Sequence, residues 1–312
     1  MIITLTPNPS VDRTTSIPQI RFNEILRTNN VRLDWGGKGF NVSRSLRVFG
    51  LDSLALGWVG GGAGRMLEDG LNKLGIQTDF VWVSEDTRTN TIIMEESGEW
   101  YVKVNEPGPH IPEQAIQELL EQAETYAHEE DIWVASGSLP QDVSEDFYAR
   151  LIKLLKPKGV KVFFDANANV LQLGCAEGPY LVKPNAEEAE AFVGFSIKNH
   201  EDGKRAALPF LRLGISYVAL TIGDLGLLLA SQKQMVLAVP PKVPVRNATG
   251  AGDSLMAGLI AAFSQELPLE EVARWGAAAG TVSVMYEGIS QISMDAIEKM
   301  LPRVESRVIN VM

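Results

Sequence analysis

The chain has 312 residues, of which 45% are hydrophobic and 21% charged, and this composition suits one globular α/β domain. A net charge of −11 argues against nucleic acid or an anionic membrane as a partner. No apolar run is long enough to cross a bilayer, and Cys175 is the only cysteine, so we expect a cytoplasmic protein without disulfides or a signal peptide.

The first predicted strand, residues 2–6, is stopped by Pro7 and Pro9. Asp12 follows this turn. Because ligands gather at the carboxyl ends of strands in an open α/β sheet, Asp12 is placed to accept hydrogen bonds from a polyol. A lone aspartate after a turn is more often a turn residue, and this alternative stays open. Residues 13–35 have no long helical period and predict an extended segment.

A glycine-rich turn at 36–39 leads into a helix predicted over 39–49. Lys38 and Asn41 lie near the amino end of this helix. Backbone amides, an ammonium group and a carboxamide at that position could hold hydroxyl groups and a phosphate. A plain glycine turn explains this stretch equally well on its own.

A β-hairpin is predicted by two strand-like runs, 89–95 and 100–105, which flank the short loop 96–99. Together with residues 13–35, the hairpin would form a small sheet outside the main one. Arg88 stands directly before the hairpin and could face an anion.

The rest of the chain alternates between strands and helices. In order, the predicted elements are strand 54–59, a helix to residue 74, strand 79–83, helix 112–127, strand 131–135, helix 144–155, strands 160–164 and 180–182, a helix after residue 185, helix 201–213, strand 216–222, an antiparallel pair at 227–230 and 235–239, a helix after residue 250, helix 269–286 and a last helix 293–301. This alternation predicts an α/β fold with a doubly wound, mostly parallel sheet flanked by helices.

The stretch 247–254 combines glycines, one carboxylate and the start of an apolar helix. Gly250 and Gly252 carry no Cβ, so a ligand can approach the backbone there. The first amides of a helix have no partner within it and the dipole makes that end positive, which suits a phosphate. Asp253 would stand where a base takes a proton from an attacking hydroxyl group. On these residues alone, a helix start with an acidic first turn is the simpler explanation.

Taken together, the motifs resemble those of the PfkB (ribokinase-like) family of carbohydrate kinases, from Thr4 to about residue 302. Two of them look like the subgroup that phosphorylates sugar phosphates, namely 6–12 and 87–90. The segments that match the family as a whole are 36–42, 136–140, 182–188 and 248–254.

The resemblance implies ATP-dependent, in-line phosphoryl transfer, with Asp253 as the base and the amides of Gly250, Ala251 and Gly252 as the anion hole. The residues implied to bind the sugar phosphate are Asp12, Gly37, Lys38, Asn41, Arg88 and Ser138. Those implied to face ATP are Lys183, Asn185, Thr221, Gly223 and Gly226. Asn185 and Glu188 match the spacing of the family's Asn-x-x-Glu motif, which acts on Mg²⁺ through water, and K⁺ is a candidate further cofactor.

The resemblance also implies one ribokinase-like domain over 1–312, with lid strands from 13–35 and 89–106 that pair two subunits into a homodimer. Fructose 1-phosphate is the favoured acceptor, and tagatose 6-phosphate and fructose 6-phosphate remain alternatives. A non-catalytic sugar-phosphate sensor on the same fold is an alternative of another class. Two segments depart from the family pattern. Ile25 stands where some relatives have a lysine, and 165–169 lacks their Ser-rich form and has no functional interpretation.

Overall fold

The structure is a computed structural model, and it describes residues 1–28, 30–97, 100–286 and 292–310. Gly98 and Glu99 of the predicted hairpin loop lie outside these described residues. The strands are β1 (Ile2–Thr6), β2 (Ser10–Ile17), β3 (Asn30–Gly36), β4 (Leu54–Gly60), β5 (Gln77–Thr78), β6 (Val81–Val83), β7 (Arg88–Glu95), β8 (Tyr101–Val104), β9 (Ile132–Ser136), β10 (Lys161–Asp165), β11 (Leu181–Val182), β12 (Tyr217–Thr221), β13 (Leu227–Ser231), β14 (Gln234–Val239) and β15 (Glu305–Asn310).

Helices lie on both faces of the sheet that most of these strands form. They are α1 (Lys38–Val48), α2 (Gly61–Lys73), α3 (Glu113–Tyr126), α4 (Phe147–Leu155), α5 (Ala168–Ala176), α6 (Ala186–Val193), α7 (His200–Arg212), α8 (Ala251–Ser264), α9 (Leu269–Val284) and α10 (Met294–Met300). In the described ranges, none of the helices is long and apolar enough to span a bilayer.

The large sheet has the strand order β15-β14-β13-β12-β11-β10-β9-β1-β4-β5, and β6 also pairs with β4. The seven neighbouring strands β12, β11, β10, β9, β1, β4 and β5 run parallel to one another. Beyond β12, the strands β13, β14 and β15 extend the sheet in antiparallel pairs. Neighbouring residues of one strand pack on opposite faces of the sheet. In β10, Phe164 belongs to the hydrophobic core that α3 to α7 cover, and Phe163 belongs to the core that α8 and α9 cover. The predicted doubly wound, mostly parallel fold is confirmed.

The parallel register places four polar residues in one row at the carboxyl edge of this sheet. Leu5 pairs with Ala135, so Thr6 comes beside Ser136. Asp165 pairs with Ser136, and the register of β10 with β11 brings Lys183 beside Asp165. Because side chains alternate along a strand, Asp165 shares the face of Phe163, which is the face covered by α1 and α8. The fold thus brings the amino ends of two helices over a row of polar side chains.

A second, small sheet has the order β3-β2-β7-β8. β2 is parallel to β7, whereas the β2–β3 and β7–β8 pairs are antiparallel. This confirms the small sheet predicted from the hairpin and from residues 13–35. Because β2 begins at Ser10, directly after the turn that ends β1, the small sheet starts beside the carboxyl edge of the large one.

The sequence interpretation missed two elements. Helix α5 was overlooked because its exposed side carries apolar residues such as Leu173, which blur the helical period. Strand β15 follows α10, so the expectation that α10 is the last element was wrong. β15 is an edge strand with charged side chains at Glu305 and Arg307 and therefore lacks an apolar run.

Candidate active site

The amino end of α8 begins at Gly250, which has a left-handed backbone with φ of 83°. This conformation favours glycine and lets the chain turn sharply into the helix. The amide of Ser254 donates to the Gly250 carbonyl at 2.9 Å, so the amides of Gly252 and Asp253 precede the first bond of the helix. Lys183 lies beside them, with Nζ 3.1 Å from the position that a Cβ on Gly252 would take. Open amides, the helix dipole and an ammonium group together suit an anion.

Asp253 is buried in the first turn of α8, with 5% of its surface exposed. Asn41 of α1 donates from Nδ2 to its Oδ2 at 2.8 Å. Burial, with a contribution from the charge of Asp165, raises the pKa of Asp253 to about 6, although Asn41, Lys38 and Lys183 act in the opposite direction. A carboxyl group with a pKa this close to neutral pH is suited to accept a proton.

Asp165 lies between two lysines at the end of β10. Its Oδ1 accepts from Lys38 Nζ at 2.9 Å, and its Oδ2 accepts from Lys183 Nζ at 2.9 Å. Burial acts to raise the pKa of Asp165, but the two ammonium groups outweigh it and the pKa lies below its usual range. Burial acts to lower the pKa of Lys38, but the charge and hydrogen bond of Asp165, together with the charges of Asp253 and Glu188, outweigh it, and the pKa is raised. Asp165 and Lys38 therefore favour their charged forms.

Gly37 has φ of 135° and starts α1, where its carbonyl accepts from the Asn41 amide at 2.9 Å. The turn thereby places Lys38 and Asn41 on the side of α1 that faces Asp165 and Asp253. The starts of α1 and α8, which are far apart in the sequence, are thus joined by the hydrogen bond between Asn41 and Asp253.

Asp12 lies within β2 and is held by two neighbours in the small sheet. Ser10 Oγ donates to its Oδ1 at 2.7 Å and Asn90 Nδ2 donates to the same oxygen at 2.8 Å. Both bonds use Oδ1, so Oδ2, which faces Gly36, is the oxygen that remains for a ligand.

The two remaining residues predicted to bind sugar phosphate, Arg88 and Ser138, belong to segments that lie beside the Gly37 turn, since a Cβ on Gly37 would be 3.6 Å from Pro9 and one on Gly137 would be 4.0 Å from Lys38. The guanidinium of Arg88 donates to three main-chain carbonyls, those of Asn8 at 2.8 Å, Glu106 at 3.2 Å and Pro9 at 3.4 Å. Burial lowers the pKa of Arg88, and Asp12 and Glu106 partly offset this effect. Ser138 is exposed just beyond the end of β9.

A cavity of about 740 Å³ opens between α6, α8 and α9. Four residues predicted to face ATP line it, namely Asn185, Thr221, Gly223 and Gly226. Its wall also reaches Gly252 at the amino end of α8. The apolar side of the cavity, which the sequence interpretation missed, is lined by Val243, Val245, Ala277 and Val284. The predicted Lys183 is paired with Asp165 and lies beside Gly252.

Asn185 and Glu188 form a capping box at the start of α6. The Glu188 amide donates to Asn185 Oδ1 and the Asn185 amide donates to Glu188 Oε2, both at 2.8 Å. The charge of Glu188 also contributes to the raised pKa of Lys38, so the two groups lie within electrostatic range of each other. In this structure the Asn-x-x-Glu spacing serves helix capping.

Comparison with known proteins places these residues in a family. Residues 5–296 match the model described as pfkB family carbohydrate kinase. The chain belongs to this family. It is 31% identical over 305 residues to 1-phosphofructokinase of Bacillus subtilis (strain 168), and the aligned region covers 98% of this chain and 99% of that protein. It is 28% identical over 309 residues to tagatose-6-phosphate kinase of Staphylococcus epidermidis (strain ATCC 12228 / FDA PCI 1200), with coverage of 98% and 99%.

Among solved structures, the crystal structure of Escherichia coli phosphofructokinase-2 in complex with potassium has a TM-score of 0.91 at 29% identity, covering 96% of this chain and 98% of that one. The resemblance predicted from the motifs is thus confirmed. As a pfkB-family sugar-phosphate kinase, the chain is a phosphotransferase that acts on a sugar hydroxyl group.

The sequence interpretation gave Asp165 no role in this kinase, yet the structure pairs it with both Lys38 and Lys183. Its position directly after an apolar strand was the available signal, because polar residues that end parallel strands share one edge. The partners of Asp165 could not be read from the chain, since Lys38 is 127 residues away.

Proposed function

We propose that the chain transfers the γ-phosphoryl group of ATP to the 6-hydroxyl group of fructose 1-phosphate, yielding fructose 1,6-bisphosphate and ADP. The observation that carries this proposal is the buried Asp253 at the start of α8, which has a pKa of about 6. Its Oδ2 accepts a hydrogen bond from Asn41 Nδ2 of α1 at 2.8 Å. The relative from Bacillus subtilis that carries the name 1-phosphofructokinase supports the choice of acceptor.

Asp253 would act as the base. Asn41 bonds to its Oδ2, so Oδ1 is the oxygen that would accept the proton of the attacking hydroxyl group. The amides of the segment from Gly250 to Gly252, with Lys183 beside them, would stabilise the negative charge on the phosphoryl group during transfer. The Ala251 amide donates to the Ala248 carbonyl at 3.3 Å and would have to exchange this bond for one to the phosphoryl group. Such catalysis consists mainly of positioning and charge neutralisation, and these residues supply both.

The acceptor would lie between the two glycine turns. Asp12 Oδ2 would accept from a sugar hydroxyl group, and Gly37, Lys38 and Ser138 would contact the remaining polar groups. Arg88 uses three of its N–H groups on main-chain carbonyls, and a guanidinium has five, so two remain for the phosphate of the acceptor.

The nucleotide would occupy the 740 Å³ cavity, whose volume lies in the range of small-molecule sites. The apolar wall of the cavity suits the adenine ring of ATP, and Thr221, Gly223 and Gly226 would lie along the rest of the nucleotide. The wall at Gly252 lets the phosphates reach the amino end of α8.

The donor set fits Mg²⁺ held through water. Within the ranges that the structure describes, no three His, Cys, Asp or Glu side chains cluster to enclose a metal ion. Mg²⁺ commonly keeps several waters and binds one or two carboxylates together with substrate phosphates. The free oxygen of Glu188 beside Asn185 could receive such a water, and the ion would neutralise phosphate charge. K⁺ is included in the proposal because the Escherichia coli relative was solved with potassium.

We extend the proposal to a single domain whose small sheet is a lid and also pairs two copies of the chain. The two edge strands of the small sheet expose apolar side chains, namely Val31, Leu33, Tyr101, Val102 and Val104. The Escherichia coli protein has also been solved in a tetrameric inhibited form. Light scattering of the wild type should give a molar mass twice that of one chain. The Val104→Asp variant should have a mass closer to that of one chain, and a monomeric wild type would contradict the pairing.

The proposal also includes a cytoplasmic location, where the buried thiol of Cys175 stays reduced.

Release of ADP over a panel of fructose 1-phosphate, fructose 6-phosphate and tagatose 6-phosphate tests the acceptor, with Mg²⁺ and with K⁺ present or omitted. We expect kcat/KM to be at least about tenfold higher for fructose 1-phosphate. A higher value for tagatose 6-phosphate would favour the second candidate, to which the Staphylococcus epidermidis relative points. Binding of a sugar phosphate without any ADP release would mean that the chain is a sensor.

A further inference from the structure

We infer that Asp165 is a positioning residue that holds Lys38 and Lys183 on the two oxygens of one carboxylate and thereby couples the acceptor side of the site to the donor side. The inference rests on the proposed function, because it takes the crevice at Lys38 as the acceptor side and the amino end of α8 as the donor side.

The geometry that carries the inference is a buried, two-sided ion pair. Asp165 Oδ1 and Oδ2 each accept from a different ammonium group at 2.9 Å. The side chain of Asp165 is 3% exposed, that of Lys183 6% and that of Lys38 40%. Lys38, which is proposed to contact the acceptor, is therefore the most exposed of the three groups.

The three groups come from separate parts of the fold. Lys38 is the first residue of α1, Asp165 ends β10, and Lys183 follows β11. The backbone at Asp165 is fixed by its neighbours, since its carbonyl accepts from the Gly137 amide at 3.2 Å and the Lys183 amide donates to Phe164 at 2.9 Å. The carboxylate on this hydrogen-bonded strand end therefore fixes the positions of the ammonium groups of both lysine side chains.

The charges explain why a carboxylate is needed at this point. Two ammonium groups near one another repel, and a buried ion that loses its partner is strongly destabilised. With Asp165 between them, the lysines can remain close together and charged, and the triad keeps a net charge of +1. That surplus charge can be shared between the phosphate of the acceptor and the phosphoryl group that moves.

Asp165 acts through the lysines. Each of its oxygens already accepts a hydrogen bond from an ammonium group, so the substrates would meet Lys38 and Lys183 in its place. Loss of the carboxylate should therefore affect both substrates at once, whereas loss of either lysine should affect mainly one.

Calorimetry on the full chain tests this arrangement, with fructose 1-phosphate and a non-hydrolysable ATP analogue titrated separately. Asp165→Asn should weaken the binding of each ligand by about tenfold. Lys38→Met should weaken mainly the sugar phosphate, and Lys183→Met mainly the ATP analogue. Asp131→Asn is the matched control, because Asp131 is also buried and ion-paired but lies at the opposite edge of the sheet.

A double-mutant cycle separates positioning from general damage to the fold. If Asp165 acts on the nucleotide through Lys183, adding Asp165→Asn to Lys183→Met should cause little further loss of affinity for the ATP analogue. Additive losses, or an Asp165→Asn variant that binds both ligands as the wild type does, would overturn the inference. Because binding is measured without turnover, a chain that binds both ligands but releases no ADP would contradict the proposed function and leave this inference standing.

Discussion

Buried aspartates at the two edges of the large sheet differ in their hydrogen-bond partners and surroundings. At the amino edge, Asp131 accepts from the ammonium group of Met1 at 2.5 Å and from the His128 amide at 3.0 Å. At the carboxyl edge, Asp165 and Asp253 lie beneath two helix starts. The amino-edge carboxylate has both of its oxygens occupied by the Met1 ammonium group and the His128 amide. At the carboxyl edge, two ammonium groups share one carboxylate, and open amides lie beside the cavity at Gly252. Burial of a charge alone therefore does not mark function; donors left over for a ligand do.

The largest expected difference between the two edges is the effect of Asp253→Asn on turnover. The substitution keeps the shape of the side chain and removes the base, so kcat should fall by about 10²–10⁴-fold while the affinity for ATP stays near that of the wild type. Steady-state kinetics and calorimetry measure the two effects. A variant that keeps more than about a tenth of the wild-type kcat would contradict the role of Asp253 as the base.

The same variant should be more stable than the wild type at pH 8. Burial raises the pKa of Asp253 to about 6, so the folded state disfavours its ionised form. The stability linked to this group is fully present below the pKa of about 3.9 of an unfolded aspartate and is lost as pH rises through about 6. Asparagine removes this penalty, and the free energy of unfolding at pH 8 should rise by roughly 3 kcal/mol. Urea unfolding at pH 8 and pH 4 measures the difference, which should become small at the lower pH.

The pH profile of the reaction gives the next largest effect. Asp253 must be ionised to accept a proton, so kcat should be constant at high pH and fall as pH drops through about 6. The charged and polar groups that face it are Asp165 from β10, Lys38 and Asn41 from α1, and Lys183 after β11. A profile that stays flat down to pH 4.5 would contradict the shifted pKa. In Asp165→Asn the midpoint should move to lower pH, because a neighbouring negative charge is lost.

Most of the fold could be predicted from the sequence because its periodic signals are strong. The fully buried strands β4 and β9 appear as continuous apolar runs, as expected for parallel strands covered on both faces. The edge strand β15 and the helix α5 lacked such signals. Their positions depend on contacts with β14 and with the neighbouring helices, which one sequence does not display.

The candidate site was predictable in its residue types but not in its pairings. Both glycine turns and Asp253 were identified, because helix starts with free amides have a local sequence signature. The contact of Asn41 with Asp253 joins residues 212 positions apart, and no local pattern reveals it. Asn185 and Glu188 show the reverse case, because their spacing indicated a metal site while their direct contact in the structure is a capping box.

The smallest kinetic effect is expected for Asp131→Asn at the amino edge. The substitution weakens the bond to the Met1 ammonium group and leaves a buried amide with poorer partners, so the free energy of unfolding should fall by about 1–3 kcal/mol. Turnover at saturating substrates should change by less than about twofold, because Asp131 precedes β9 and the site lies at the other end of that strand. Urea unfolding and steady-state kinetics on one preparation measure both. A loss of turnover comparable to that of Asp253→Asn would mean that the two edges are coupled through β9, and the contrast between a structural edge and a functional edge would be wrong.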